Sequence, residues 1–370
     1  MGVTALQEQS TGLGGVVGEY RGATTALRFS DPQAEFAALR AGCGVYDLGY
    51  RARFSLTGGD RVRWLNGMVT NNIRDLEAGH GAYAFLLNPQ GHILGDLYAY
   101  HQGDSIVVDT DRSQVEKVLA TFDHYIIMDD VEVKNLSESV TTLGISGPRS
   151  GEVLAAAGIV IPETKPLQIV DVKCTCDCEY LQCTVVRGDD PAVESYELWM
   201  ARGEVKKTWD TLLAHKATPI GSEALEIHRI VNGIPLFGVD IRERDLPQET
   251  EQAQALNFNK GCYIGQEIVE RIRSRGAVHR KFSGFVADAG QPIESGTKIV
   301  VGEKEVGEVT SVASLRTPNP EKTLVLGYIR RELATPGREV MIGGVKATIV
   351  ALPVPDSILE AQAAPVARPA

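Results

Sequence analysis

Apolar positions fall into two rhythms along this chain. Up to about residue 275, helical periods alternate with strand periods of two; from Phe282 onward only short alternating strands remain, separated by glycine turns. The first roughly 20 residues are glycine-rich and polar and predict a loose N-terminus. Asp31-Pro32 then reads as a helix start, with Asp31 as cap, Phe36 and Leu39 on the apolar stripe and a stop near Gly42. The alternation Arg53-Phe54-Ser55-Leu56-Thr57 predicts a strand. Gly58-Gly59 breaks it, and Asp60 is placed to cap a helix that buries Val62, Trp64 and Leu65. Strands are predicted at 82–87 and 92–100 around the turn Asn88-Pro89-Gln90-Gly91, and another at 105–109. A helix runs from Asp111 to Tyr125. A second unit of the same order opens at Thr141, its helix at Ser150 to Ala157 following Gly147-Pro148. Two βαβ-like units predict a duplicated α+β architecture, with lobes over 20–140 and 141–275 that are interleaved in space. Strands at 281–286, 297–301, 306–312 and 324–329 predict a small β-barrel or sandwich over 276–355, with the domain boundary near Gly276. The termini, 1–19 and the Ala/Pro-rich 356–370, are expected to be loose.

Length supports this division, because 370 residues exceed what one ordinary core covers. The 37 basic against 48 acidic residues give a net charge of -11. That balance disfavours nucleic acid or an anionic membrane as main partner, since phosphate binding needs a basic surface. The N-terminus carries Glu8, no early Lys or Arg and no long apolar stretch, so a cytoplasmic protein with reduced cysteines is expected.

The densest candidate chemistry lies in Lys260-Gly261-Cys262-Tyr263-Ile264-Gly265-Gln266-Glu267. Cys262 sits in a glycine-flanked turn beside a lysine and ahead of a predicted helix, conditions that favour a thiolate, the nucleophilic and metal-binding form. The bland alternative is a small buried hydrophobe. Glu267 is either a ligand contact or a first-turn carboxylate favoured by the helix dipole. Arg271, Arg273, Arg275, His279, Arg280 and Lys281 form a basic run in an acidic chain, suited to carboxylates of a ligand or partner, or simply a solvated helix end. Cys174, Cys176 and Cys178 alternate and would share one strand face, with Cys183 beyond. Same-face thiols close poorly around an ion, so no metal site is assigned. His80, His92 and His124 have no partner at a telling spacing and receive no role.

Five segments together carry a resemblance. Gly44-Val45-Tyr46-Asp47-Leu48, the turn and strand from Leu87 to Leu97, Ser195-Tyr196-Glu197-Leu198, Arg229 to Gly238, and Lys260 to Glu267 stand in an order that resembles the glycine cleavage T-protein (aminomethyltransferase) superfamily. Within it, the Lys260–Glu267 stretch and the basic run after it resemble the YgfZ family of folate-binding proteins. The resemblance implies an α+β fold of three domains in a ring around a folate, with two ferredoxin-like lobes and a C-terminal β-barrel. It implies tetrahydrofolate as cofactor, with Glu197 and Arg229 as main polar contacts and Tyr263, Glu267 and Arg271 as further ones. Two departures stand out. An Asp-Asp pair, whose first member assists aminomethyl transfer, is replaced by Gly95-Asp96, so Asp96 is at most a substitute. A tyrosine-containing turn before Glu197 is replaced by Arg187 to Glu194. The expectation is therefore a tetrahydrofolate-binding protein that assists assembly or repair of iron–sulfur enzymes and has lost aminomethyl transfer. Cys262 is then its reactive group, and iron–sulfur client or assembly proteins its partners. A folate-dependent aminomethyltransferase or demethylase is the alternative.

Overall fold

Strand alternation builds the first sheet as the sequence predicts. Its order is Gly81–Leu87, Ile93–His101, Ile106–Asp111, Arg51–Thr57 and Glu132–Asn135, all neighbours antiparallel. Ala52, Phe54, Leu56, Ala84, Leu97 and Val108 point one way, into a core closed by Trp64, Leu65, Val118 and Phe122 of the helices Arg61–Met68 and Val115–Tyr125. Each fully buried Leu or Phe there contributes about 1.5–3 kcal/mol relative to exposure. The second sheet runs Ile169–Cys174, Leu181–Arg187, Ser195–Ala201, Val140–Ser146, Gly44–Asp47 and Thr218–Pro219. Leu143, Ile145, Leu198 and Val185 bury against Trp209 and Leu212 of the helix Val205–Ala214.

The two sheets repeat one topology. In each, the strands of one stretch of chain stand in the order second, third, fourth, first, and a fifth strand follows. In the first sheet that fifth strand is its own, Glu132–Asn135. In the second the place is taken by Gly44–Asp47, from ahead of the first lobe, paired antiparallel to Val140–Ser146. The second sheet thus takes in a strand from ahead of the first lobe.

This computed structural model describes residues 2–174, 181–288, 292–316 and 321–359. The described residues form two compact units. One holds those up to Leu225 together with Gln254–Gln266; the other holds Glu226–Ala253 and those from Glu267 on. Residues 226–253 and 267–275 thus belong with the C-terminal strands rather than with the sheets before them. In this second unit, Arg280–Asp288, Lys322–Arg330, Lys304–Leu315, Lys298–Val301, Glu339–Ile342 and Val345–Val350 close a six-stranded barrel. Phe285, Ile299, Val325 and Ile349 fill it. The chain is α+β with a closed C-terminal barrel, as expected.

Two local expectations are corrected. The N-terminus is not loose: Gly2–Val3 and Val16–Tyr20 flank Ala23–Arg28 in a three-stranded sheet, and Leu6 is fully buried in the core of the second sheet. One buried leucine and a backbone ladder outweigh the glycine-rich composition that suggested disorder. Asp60 does not cap its helix; its carboxylate accepts from the Asp130 backbone and the Arg63 side chain instead. Asp31 does cap, accepting from the Gln33 amide at 3.1 Å. The end, 360–370, lies outside the described residues. Among the described residues, no helix is long and apolar enough to cross a membrane.

Candidate functional site

The face of the first sheet opposite its helices is not apolar. Alternation places Tyr83 and Phe85 on one strand, Asp96, Tyr98 and Tyr100 on the next, then Asp109 and Asp111, then Arg51 and Arg53, all on that face. The second sheet contributes Glu197, Trp199, Thr142 and Tyr46 from the face opposite its own core. Tyr100 meets Trp199 edge to face at 5.1 Å, and Tyr83 and Tyr98 lie 4.9 Å apart. Gly144 stands between Glu197 and Tyr46 in register. A Cβ there would fall 2.0 Å from the Tyr46 ring, so glycine is what admits the ring beside Glu197.

Arg53 joins the two sheets. It is 2% exposed, bonds Thr142, pairs with Asp109 at 3.0 Å and Glu197 at 3.4 Å, and lies 4.1 Å over the Trp199 ring. Arg51 pairs with Asp109 and, at 2.6 Å, with Asp111. Glu197 is thus held at Oε2 by Arg53 and by the Trp199 indole at 2.8 Å. Burial raises its carboxyl above the usual range; Asp109 adds to this, and Arg53 and Arg51 oppose it. Asp96 accepts from the Tyr83 hydroxyl at 2.7 Å and the Gln114 amide at 2.7 Å, and burial, with Asp111 adding, raises its carboxyl too. Asp189, in the segment that replaces the expected tyrosine-containing turn, accepts weakly from Tyr98 at 3.4 Å and is likewise raised by burial.

The Gly95-Asp96 departure acquires a different meaning here. Gly95 faces the helix side of the sheet, where a Cβ would meet Gln114 at 3.0 Å and Val118 at 3.8 Å. A carboxylate at position 95 would point away from Glu197, whereas Asp96 points to its side. The face therefore carries a carboxylate at position 96.

The Lys260–Glu267 stretch is pinned to the first lobe. The Lys260 ammonium is buried and donates to the carbonyls of Asn66, Val69 and Asn71 at 2.5, 2.5 and 2.8 Å. Two of these oxygens close the C-terminal end of the helix Arg61–Met68, where carbonyls lack intrahelical partners and a cation complements the dipole. Burial pulls Lys260 down to about 7, while three carbonyl acceptors favour its charged form. Tyr263 is buried, its ring 4.9 Å from the Lys260 ammonium. Ile264 donates its amide to Gly67, and Gly265, at φ +81°, packs where a Cβ would strike the Asn88 carbonyl at 2.6 Å. The loop thus rests on the turn leading to the strand of Asp96. Between these anchors Cys262 is free and exposed. The positive field expected from Lys260 is not supplied, because its ammonium is committed to the carbonyls on the buried side.

The other expected contacts divide by exposure. Arg229, on the helix Ser222–Asn232, is 5% exposed and bonds Glu226, Asp240, Ser311 and the Ile234 carbonyl. That is the packing of a structural ion pair in the second unit; the pairing with Glu226 follows its i, i+3 spacing. Glu267 stands exposed in the first turn of the helix Gln266–Arg275, and Arg271 is exposed one turn on. Of the basic run, Arg280 is consumed by Asp245 and Glu249, and Lys281 by Glu251. Cys183 is buried in the core of the second sheet, while Cys176 and Cys178 lie outside the described residues.

Sequence reasoning missed Arg51, Arg53, Tyr83, Asp109 and Gln114. The signal was present: a strand with Arg at every second place opposite one with Asp at every second place. The face suits a flat heteroaromatic ligand bearing N–H donors. Both bonds that Glu197 takes from described residues fall on Oε2, and the rings of Tyr83, Tyr98, Tyr100 and Trp199 line the same region.

Comparison with known proteins agrees with this architecture. The sequence matches the GCVT N-terminal domain over residues 6–260 and the glycine cleavage T-protein C-terminal barrel domain over residues 280–356. It is 28% identical to an aminomethyltransferase of Herpetosiphon aurantiacus, covering 95% of this chain and 97% of that one. It is 26% identical to an aminomethyltransferase of Rubrobacter xylanophilus, covering 95% and 93%. The crystal structure of the glycine cleavage system aminomethyltransferase T from Bartonella henselae superposes with a TM-score of 0.84 at 21% identity, covering 95% of this chain and 97% of that one. With both family domains matched in order over most of its length, the chain belongs to the glycine cleavage T-protein family.

Proposed function

We propose that this protein binds a reduced folate on the polar face of its first unit and carries out folate-dependent one-carbon transfer of the aminomethyltransferase class. The observation that carries this reading is the orientation of Asp96: the strand turns it, and not position 95, toward the side of Glu197. Glu197 accepts ring N–H donors of the pterin, and the surrounding tyrosines and Trp199 pack its faces. Tetrahydrofolate, when bound, supplies the nitrogens that accept the one-carbon unit. Burial raises the Asp96 carboxyl above the usual carboxylate range, which suits it to hold and release a proton. Relatives named aminomethyltransferase support this choice.

The expected outcome in a calorimeter is saturable tetrahydrofolate binding that weakens at least about tenfold in Glu197→Gln, the loss of one charge-assisted bond. No heat from the intact protein would sink the folate reading. With an aminomethylated lipoyl carrier, Asp96→Asn lowers kcat by about 10²–10⁴-fold; unchanged turnover would remove Asp96 from the chemistry.

A second reading is favoured by one observation, the exposed Cys262 on a loop anchored at both ends. In it the folate site serves assembly or repair of iron–sulfur enzymes, with Cys262 as the reactive group. Cys262→Ala would then keep folate affinity but lose in-cell support of those enzymes; full support in the variant would make the thiol incidental.

A further inference from the structure

Asp96 is gripped by one side chain from two directions. The Asp96 backbone N–H donates to Gln114 Oε1 at 3.0 Å, and Gln114 Nε2 donates to Asp96 Oδ1 at 2.7 Å. The backbone N–H can only donate, so it fixes which end of the amide is oxygen, and that fixes the other end as donor. Gln114 is 3% exposed and sits in the short turn Arg112–Gln114 ahead of a helix, so it cannot swing away without breaking both bonds. Oδ1 of Asp96 therefore always faces a donor. Oδ2 faces the hydroxyl of Tyr83, which can either donate or accept.

We propose that Gln114 and Tyr83 are positioning residues that confine the exchangeable proton of Asp96 to Oδ2, so that Asp96 acts as a one-sided acid on the Tyr83 side. This rests on the functional reading above for its use in a reaction, but not for its existence. The step is a proton transfer alone. The O–H bond at Oδ2 breaks as the proton passes to a basic atom of the ligand, the electron pair stays on Oδ2, and Tyr83 turns its hydroxyl to donate to the carboxylate left behind. Charged and titratable groups around Asp96 are Tyr83 and Tyr98, Asp111 from the next strand and Arg51 from the one beyond. Gln114 and Tyr83 both favour the charged form, against burial and Asp111.

The test uses the full chain with 13C-labelled aspartate, the Asp96 carboxyl signal being assigned by its absence in Asp96→Asn. In the native protein that signal titrates above the ordinary carboxylate range. Gln114→Met raises its midpoint by about one unit, the worth of one lost bond to the charged form, and Tyr83→Phe, which removes a partner of both protonation states, raises it less. An unmoved midpoint in a natively folded Gln114→Met overturns the proposal. If that variant does not fold, the midpoint in Gln114→Leu decides it. In the transfer assay both variants shift the pH profile of kcat in the same direction, which a merely structural effect would not do. The titration is read without ligand, so absence of tetrahydrofolate binding would count against the folate reading alone.

Discussion

At the scale of single residues, the site depends on groups whose sequence context gave no warning. Glu197 and Asp96 were visible because motifs flanked them. Gln114 was not, because an isolated glutamine in a helix-like segment carries no periodic signal, and only the fold brings it to a strand 18 residues earlier. Lys260 illustrates the opposite error. Beside Cys262 in sequence, it read as a local positive charge; in space its stem runs inward and its ammonium is spent on three carbonyls about 190 residues away. The prediction at this scale concerns that pin. Lys260→Met keeps the stem but strands three acceptors, and is expected to destabilise the protein by about 2–4 kcal/mol. Urea unfolding followed by circular dichroism measures it, and an unshifted midpoint would show that water replaces the ammonium at no cost.

Elements were the most legible level, and the misses have physical causes. Strand alternation located four of the first sheet's five strands and four of the barrel's six within a few residues, because a core on one face enforces a period of two, but little of the second sheet beyond its opening at Thr141. The same alternation should have exposed the polar face, since Arg51 and Arg53 stand directly opposite Asp111 and Asp109. The Gly95 departure shows what sequence alone lacks: a motif comparison says which residue is missing but not which face it would occupy. In the barrel, a prediction follows from Glu308, which faces Lys298 across the strand pair and accepts from Arg242 and Lys298 at 2.8 Å each. The Arg242 bond foremost, and then Lys298, hold its carboxyl down to about 2, against an ordinary 4.5. The native state thus binds fewer protons than the unfolded one between those values, so the stabilisation is present above about pH 4.5 and is lost as pH falls toward 2. Glu308→Gln should therefore lower Tm at pH 7 and lose most of that difference by pH 3. Equal differences at both pH values would mean that the charge contributes nothing.

The whole molecule divides where sequence texture does not. Composition changes near Gly276, yet Asp240 is fully buried and accepts from Thr310 and Ser311 of the barrel, and Arg280 is held by Asp245 and Glu249. A fragment ending at residue 276 keeps residues 226–253 but removes those partners. It is expected to bind a hydrophobic dye and to lose amide-exchange protection over residues 226–253 while its first unit still melts cooperatively; equal protection of that segment in the fragment and the full chain would show that it folds without the barrel. The strand Gly44–Asp47, taken into the second sheet from ahead of the first lobe, has a consequence of another kind. Its partner strand begins at Val140, and the hydroxyls of Tyr46 and Ser146 meet across 100 residues of chain. During synthesis, residues 44–47 leave the ribosome long before Val140–Ser146 exists, and they must wait, unpaired, through the making of an entire lobe. Closing so distant a pair is slow. The order in which this protein acquires its shape is therefore not the order in which it is made, and the polar face, which needs both sheets, is among the last surfaces to form.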